Sequence, residues 1–185
     1  MMSNVLVPLA AGCEELEAVT IIDILRRGGV QVTTAALQAG PVTASRGVVL
    51  IADTTLKDAM ESGLFDMVVI PGGMEGSLAL MECEPFLAYL RRMAENERLL
   101  GAICAAPMIL GKAGLLDGAR FTAYPGVLDP GQFPNAVYTG ESVESHNGIM
   151  TSRGPGTAMD FALALLEKIE GRDTRVKVEQ QLVRT

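Results

Sequence analysis

Tryptophan is absent from this chain of 185 residues, and aromatic side chains make up only 4% of it. Few faces are therefore available for the stacking that single-stranded nucleic acid requires. Positive charge is short as well: 15 Lys and Arg stand against 22 Asp and Glu, a net charge of −7. That balance argues against nucleic acid or an anionic membrane surface as a direct partner. There is one histidine, and the three cysteines (Cys13, Cys83 and Cys104) form no CxxC pair, which disfavours both a transition-metal site and a disulfide framework. An odd, scattered set of thiols suits a reducing compartment, so a cytoplasmic location is expected. No stretch approaches the roughly 20 apolar residues of a membrane span. The opening Met1-Met2-Ser3-Asn4-Val5 also lacks the basic flank and apolar run of an export signal.

What remains is an ordinary globular composition, 49% hydrophobic and 20% charged, expected to form one domain over residues 1–185. Val5 to Ala10 reads as a buried strand ending at Gly12, and Glu14 to Arg27 places Leu16, Val19, Ile22, Ile24 and Leu25 at helical spacing. Gly28-Gly29 stops that helix, and Val30 to Ala36 follows as a second strand. Two extended pieces, Val42–Ser45 and Val48–Ala52, are joined at Arg46-Gly47. A short helix near Leu56–Ser62 then leads into Phe65–Ile70, a run apolar on both faces, as in the middle of a parallel sheet. Glu84–Asn96, Leu99–Ile103 and Ala105–Ala113 read as helix, strand and helix. After a strand at Arg120–Ala123, His146-Asn147-Gly148 supplies a hairpin turn. Ala158–Glu170 and Thr174–Leu182 read as closing helices. The alternation predicts a doubly wound α/β sandwich.

In such sheets ligands bind outside the carboxyl ends of the strands, and three chemically loaded segments leave strands there. Gly12-Cys13-Glu14-Glu15-Leu16-Glu17 offers carboxylates, Pro71-Gly72-Gly73 offers backbone N–H groups, and Ile103-Cys104-Ala105-Ala106-Pro107 offers a thiol between a strand and a helix. A cysteine at such a junction can be an exposed nucleophile whose pKa the helix start lowers, or a small buried residue at a strand end. The glycine pair can be an oxyanion hole or a tight turn needing positive φ. Glu14, Glu15 and Glu17 can each cap the first helix, or one of them can face the thiol. His146, in the hairpin turn, reads as a solvated residue rather than a base for a Cys-His dyad. Cys13 lies on the same rim as Cys104, where a second thiol could resolve a sulfenic acid.

Taken together and in order, Gly12–Val19, Ser45-Arg46-Gly47, Val69–Gly73, Ala102–Pro107 and Thr151-Ser152-Arg153-Gly154-Pro155-Gly156-Thr157 resemble the DJ-1/ThiJ/PfpI superfamily, most closely the bacterial DJ-1-like branch that includes YajL. The resemblance implies a flavodoxin-like three-layer α/β sandwich with a mostly parallel central sheet, a nucleophile elbow and a homodimer. Matched by motif, Cys104 is the reactive cysteine, and Glu17 the protonated glutamate that hydrogen-bonds its sulfur. Gly72, Gly73 and Ala105 are the backbone donors around the substrate oxygen or an oxidised sulfur. Arg46 and Arg26 or Arg27 match positions associated with the dimer interface.

The function implied is a cofactor-independent, metal-free carbonyl-stress enzyme. It would be a glyoxalase or deglycase taking methylglyoxal, glyoxal or their early protein and nucleotide adducts, with Tyr124 positioning the second carbonyl. The alternative is an oxidative-stress sensor or chaperone with an oxidisable Cys104. Two departures matter. Tyr124 stands where many relatives have histidine, so a histidine-assisted step is in question. Ala105 stands where protease-like members have histidine, so peptidase activity is disfavoured.

Overall fold

The computed structural model describes residues 2–184. Strand β1 (Asn4–Leu9) leads into helix α1 (Glu15–Arg27), and β2 (Gln31–Ala36) returns parallel to β1. The short strands β3 (Val42–Thr43) and β4 (Val49–Leu50) make an antiparallel ribbon about the turn at Arg46-Gly47. Next come β5 (Thr54–Thr55), α2 (Leu56–Glu61), β6 (Met67–Ile70), α3 (Met74–Met81), α4 (Glu84–Glu95), β7 (Leu99–Ile103) and α5 (Pro107–Lys112). Strands β8 (Arg120–Phe121) and β9 (Val137–Tyr138) pair in a ribbon of their own. The hairpin β10 (Val143–His146) and β11 (Ile149–Ser152) precedes α6 (Ala158–Glu170) and α7 (Arg172–Gln181).

The central sheet runs β10-β11-β7-β6-β1-β2-β5, with every pairing parallel except β10 against β11. Side-chain alternation along its strands divides the interior in two. Val5, Val7, Leu9, Met67, Val69 and Ile103 face α1 and α6, where Ile21, Ile24, Phe161 and Leu165 meet them. Leu6, Val68, Ile70, Leu100 and Ala102 face the other layer, packing with Phe86, Leu90 and Met93 of α4 and Ile109 of α5. This is the doubly wound α/β sandwich that the chain's β/α alternation predicted, in the flavodoxin-like three-layer form that the resemblance implied. Gly101 is where β7 comes closest to the α6 layer: a side chain there would lie 3.1 Å from Leu165 and 3.3 Å from Phe161.

Several details differ from expectation. Helix α3 was not anticipated, because Gly76 and Ser77 weaken its helical pattern. The glycine is needed there because a Cβ would stand 2.8 Å from the Cys13 amide nitrogen. Helix α5 starts at Pro107, two residues later than expected, and Cys104–Ala106 form a turn. β8 is two residues long and finds its partner in β9, which the sequence pattern did not reveal. His146 ends β10 rather than sitting in the turn, which is formed by Asn147 and Gly148 with φ of +48° and +79°. It is half-buried, and its Nδ1 is buried without a hydrogen-bond partner among the described residues.

Phe161 of α6 is fully buried against β7, the strand that precedes Cys104. Phe161→Ala is expected to cost about 3–5 kcal/mol, read as a shift of the urea unfolding midpoint with an unchanged slope.

Candidate active site

Residue Cys104 follows β7 with φ of +63°, a left-handed conformation that side chains other than those of Gly, Asn and Asp rarely adopt. Two backbone hydrogen bonds hold it there. Its N–H donates to the Ser152 carbonyl of β11 at 3.0 Å, and its own carbonyl accepts from the Tyr124 N–H at 2.9 Å. A strand, a strained residue and a helix in succession constitute a nucleophile elbow, and the side chain stands half-buried in a cleft of about 420 Å³. Strain of this kind persists only where its surroundings over-determine it.

Glu17, in the first turn of α1, is fully buried. Its Oε2 accepts the Gly72 N–H at 2.7 Å, and its carboxyl interacts with the Cys104 thiol. Oε1 is buried without a hydrogen-bond partner among the described residues. Burial pushes Glu17 up to about 7, against the pull of the Gly72 hydrogen bond. Gly72 must be glycine: a Cβ there would lie 2.5 Å from Cys104 Cβ, 2.6 Å from Glu17 Oε2 and 2.9 Å from the Ile103 carbonyl oxygen.

The expected depression of the Cys104 pKa is not found. Burial and the adjacent Glu17 carboxylate push the thiol up to about 12, while the N–H groups of Gly73 and Ala105 act in the opposite direction. Glu17 and Cys104 both favour their protonated forms, and two negative charges in contact repel, so the pair retains at least one proton at neutral pH. The three backbone donors also divide: Gly73 and Ala105 serve the sulfur, whereas the Gly72 N–H, expected at the substrate oxygen, is occupied by Glu17.

The other two glutamates have separate tasks. Glu15 Oε1 accepts the Arg46 N–H at 2.8 Å and its Oε2 accepts the Ser45 hydroxyl at 2.9 Å, which ties the β3–β4 turn to the start of α1. Glu14 lines the cleft with Arg46, Glu75, Tyr124 and Pro155. Glu75 was not anticipated, because its helix was not. Tyr124 is 50% exposed and its ring rests on Gly154, where a Cβ would come within 3.2 Å. Cys13 is buried, and burial pushes its thiol up to about 11, so it is a poor resolving nucleophile. Arg26 pairs with Asp53 and Arg27 with Asp23, both on the surface. His146 is not among the residues lining the cleft. Among the described residues no three His, Cys, Asp or Glu side chains converge as metal ligands.

Residues 3–168 match the model of the DJ-1/PfpI family. The chain belongs to that family. It is 41% identical over 183 residues to Protein DJ-1 homolog B of Arabidopsis thaliana, a match covering 97% of the chain but 41% of that relative. The chain therefore spans less than half the length of that plant protein. The crystal structure of Drosophila melanogaster DJ-1beta superposes with a TM-score of 0.93 at 39% identity, covering 99% of this chain and 98% of that one. A Caenorhabditis elegans relative named glutathione-independent glyoxalase DJR-1.2 is 36% identical over 158 residues, covering 85% of this chain and 83% of the relative.

A glutamate whose pKa is raised by folding makes stability fall as pH rises. Below the unfolded value near 4.5 the protonated carboxyl contributes fully, and that contribution is lost as pH passes through about 7. Urea unfolding between pH 5 and 8 is expected to show this decline in the wild type and to show it largely removed in Glu17→Gln. An equal decline in both would remove Glu17 as its source.

Proposed function

We propose that the protein is a cofactor-independent glyoxalase in which Cys104 attacks the aldehyde carbon of methylglyoxal, glyoxal or an early adduct of these. The observation that carries the reading is the contact between a buried carboxyl titrating near 7 and a thiol that is otherwise protonated, since a general base works best with a pKa close to the operating pH. Glu17 takes the thiol proton as sulfur adds to the aldehyde, forming a hemithioacetal. The Gly73 and Ala105 N–H groups, beside the sulfur, stabilise the developing alkoxide. Proton transfer from C1 to C2 through an enediolate oxidises the first carbon and reduces the second, giving a 2-hydroxyacyl thioester. Water then releases lactate from methylglyoxal, or glycolate from glyoxal, and restores the thiol. Tyr124, on the cleft wall, positions the second carbonyl, without the histidine-assisted step its position suggests in relatives. The name of the Caenorhabditis elegans relative supports the same reaction class. Deglycation of protein or nucleotide adducts is an extension of the same addition chemistry, whereas peptidase chemistry has no histidine beside the thiol to support it.

A second reading, oxidative sensing with Cys104 as the oxidised residue, is favoured by the same two N–H groups, which would hold the oxygens of a sulfinate. The deciding experiment follows methylglyoxal loss and lactate formation in buffer free of amines and added thiols. Catalytic turnover is expected in the wild type, with Cys104→Ser at background and Glu17→Gln lowered by about 10²–10⁴-fold. Stoichiometric consumption, together with a peroxide-induced sulfinate on Cys104 while Cys83 stays reduced, would select the sensor.

The working unit in this reading is a homodimer. Leu16 and Val19 of α1 and Val48, Val49 and Ile51 of the adjoining ribbon are all exposed, at 47% to 74%, and Glu15 holds the ribbon against the helix start. Exposed apolar clusters of this kind mark association surfaces. Sedimentation equilibrium is expected to give a dimer, and Val49→Glu to weaken it at least tenfold; a wild-type monomer at micromolar concentration would overturn it.

A further inference from the structure

Beyond Tyr124 the cleft is continued by a second hollow of about 540 Å³, and the two share Tyr124 and Pro155 as a common wall. Tyr124 forms this partition because its ring rests on Gly154, a residue of the Thr151–Thr157 segment whose arginine has no part in the chemistry above. The loop beneath is rigidly built: the Thr157 hydroxyl accepts the Gly154 N–H at 3.1 Å and lies 2.7 Å from the Ser152 hydroxyl. Arg153 lines the hollow, donates one hydrogen bond to the Gly140 carbonyl at 3.2 Å, and makes no ion pair among the described residues. A guanidinium has five N–H donors in a planar fork suited to a carboxylate. The inner cleft has the opposite character, because Glu14 and Glu75 face it against the single cation Arg46, and the Glu17–Cys104 pair can add a further negative charge.

We infer that this outer hollow is a second subsite, which receives a carboxylate on the non-reacting part of the substrate and makes Arg153 a specificity-determining residue. The inference rests on the reading of Cys104 as the point of attack, and among the early adducts proposed there it selects those with a neutral reacting end and an anionic tail, beyond the tail-less methylglyoxal and glyoxal. The acidic inner cleft repels the tail and Arg153 attracts it, so the carbonyl enters first.

The test uses affinity labelling, which does not depend on turnover. N-bromoacetyl derivatives of glycine, β-alanine and 4-aminobutyrate are compared with their carboxamide counterparts, and alkylation of Cys104, in which sulfur displaces bromide, is timed by intact mass. At the best tail length the acid is expected to label about three- to fivefold faster than the amide, the scale of one exposed charge pair. The ratio should fall to near one in Arg153→Gln, be partly kept in Arg153→Lys, and shrink with added salt. A wild-type ratio near one at every length would overturn the inference, as would a ratio abolished by Arg46→Gln and unchanged in Arg153→Gln. Absence of labelling at Cys104 would overturn it together with the proposed chemistry. An Arg153-dependent ratio in a protein that does not turn over methylglyoxal would overturn methylglyoxal as the substrate and support the subsite.

Discussion

A carboxyl group removed from water needs a hydrogen-bond donor, and for Glu17 that donor is the Gly72 amide at 2.7 Å. The contact joins the helix after the first strand to the loop after β6, and it forms only because Gly72 has no side chain to stand between Glu17 and Cys104. Three separate pieces of chain are thereby brought to one point at the carboxyl edge of the sheet. The same hydrogen bond that would favour an ionised Glu17 is outweighed by burial, which leaves the acid poised near neutrality. The proton inventory of the site follows from that balance.

The sheet order explains how the thiol is held in reach. β6 and β7 are parallel neighbours, so the Pro71-Gly72-Gly73 loop and the Cys104 elbow leave the sheet side by side. β11, on the other side of β7, supplies the Ser152 carbonyl that holds the Cys104 amide, and the segment after β8 supplies the Tyr124 amide on the opposite side of the turn. A left-handed cysteine would relax if either contact were lost. Its conformation is therefore a property of the whole carboxyl edge and not of the five-residue motif around it.

The α/β alternation, both closing helices and the three segments at the rim could be read from hydrophobic period and turn chemistry. Cys104 and the glycine pair were singled out from their positions after strands, Glu17 was picked from its neighbours only by the family resemblance, and the structure brings them together. The division of labour was not legible. Which of Glu14, Glu15 and Glu17 turns inward depends on the rotation of α1 against α6, and that is fixed by contacts far away in sequence. The Gly72 amide could not be assigned to a carboxyl rather than to substrate without a distance. The sign of the Cys104 shift depends on the burial of its surroundings, for which a local motif carries no signal. Helix α3, and Glu75 with it, was hidden because close packing against the Cys13 backbone demands a residue with poor helical propensity.

The two margins of the seven-stranded sheet are closed in different ways. β5 is two residues long, and β10 runs against the direction of its neighbour as the outer arm of a tight hairpin. Short borders and reversed strands give an approaching chain little backbone to extend. Self-recognition through main-chain pairing is thus discouraged, and any assembly must be specified by side chains, which a single charge can tune.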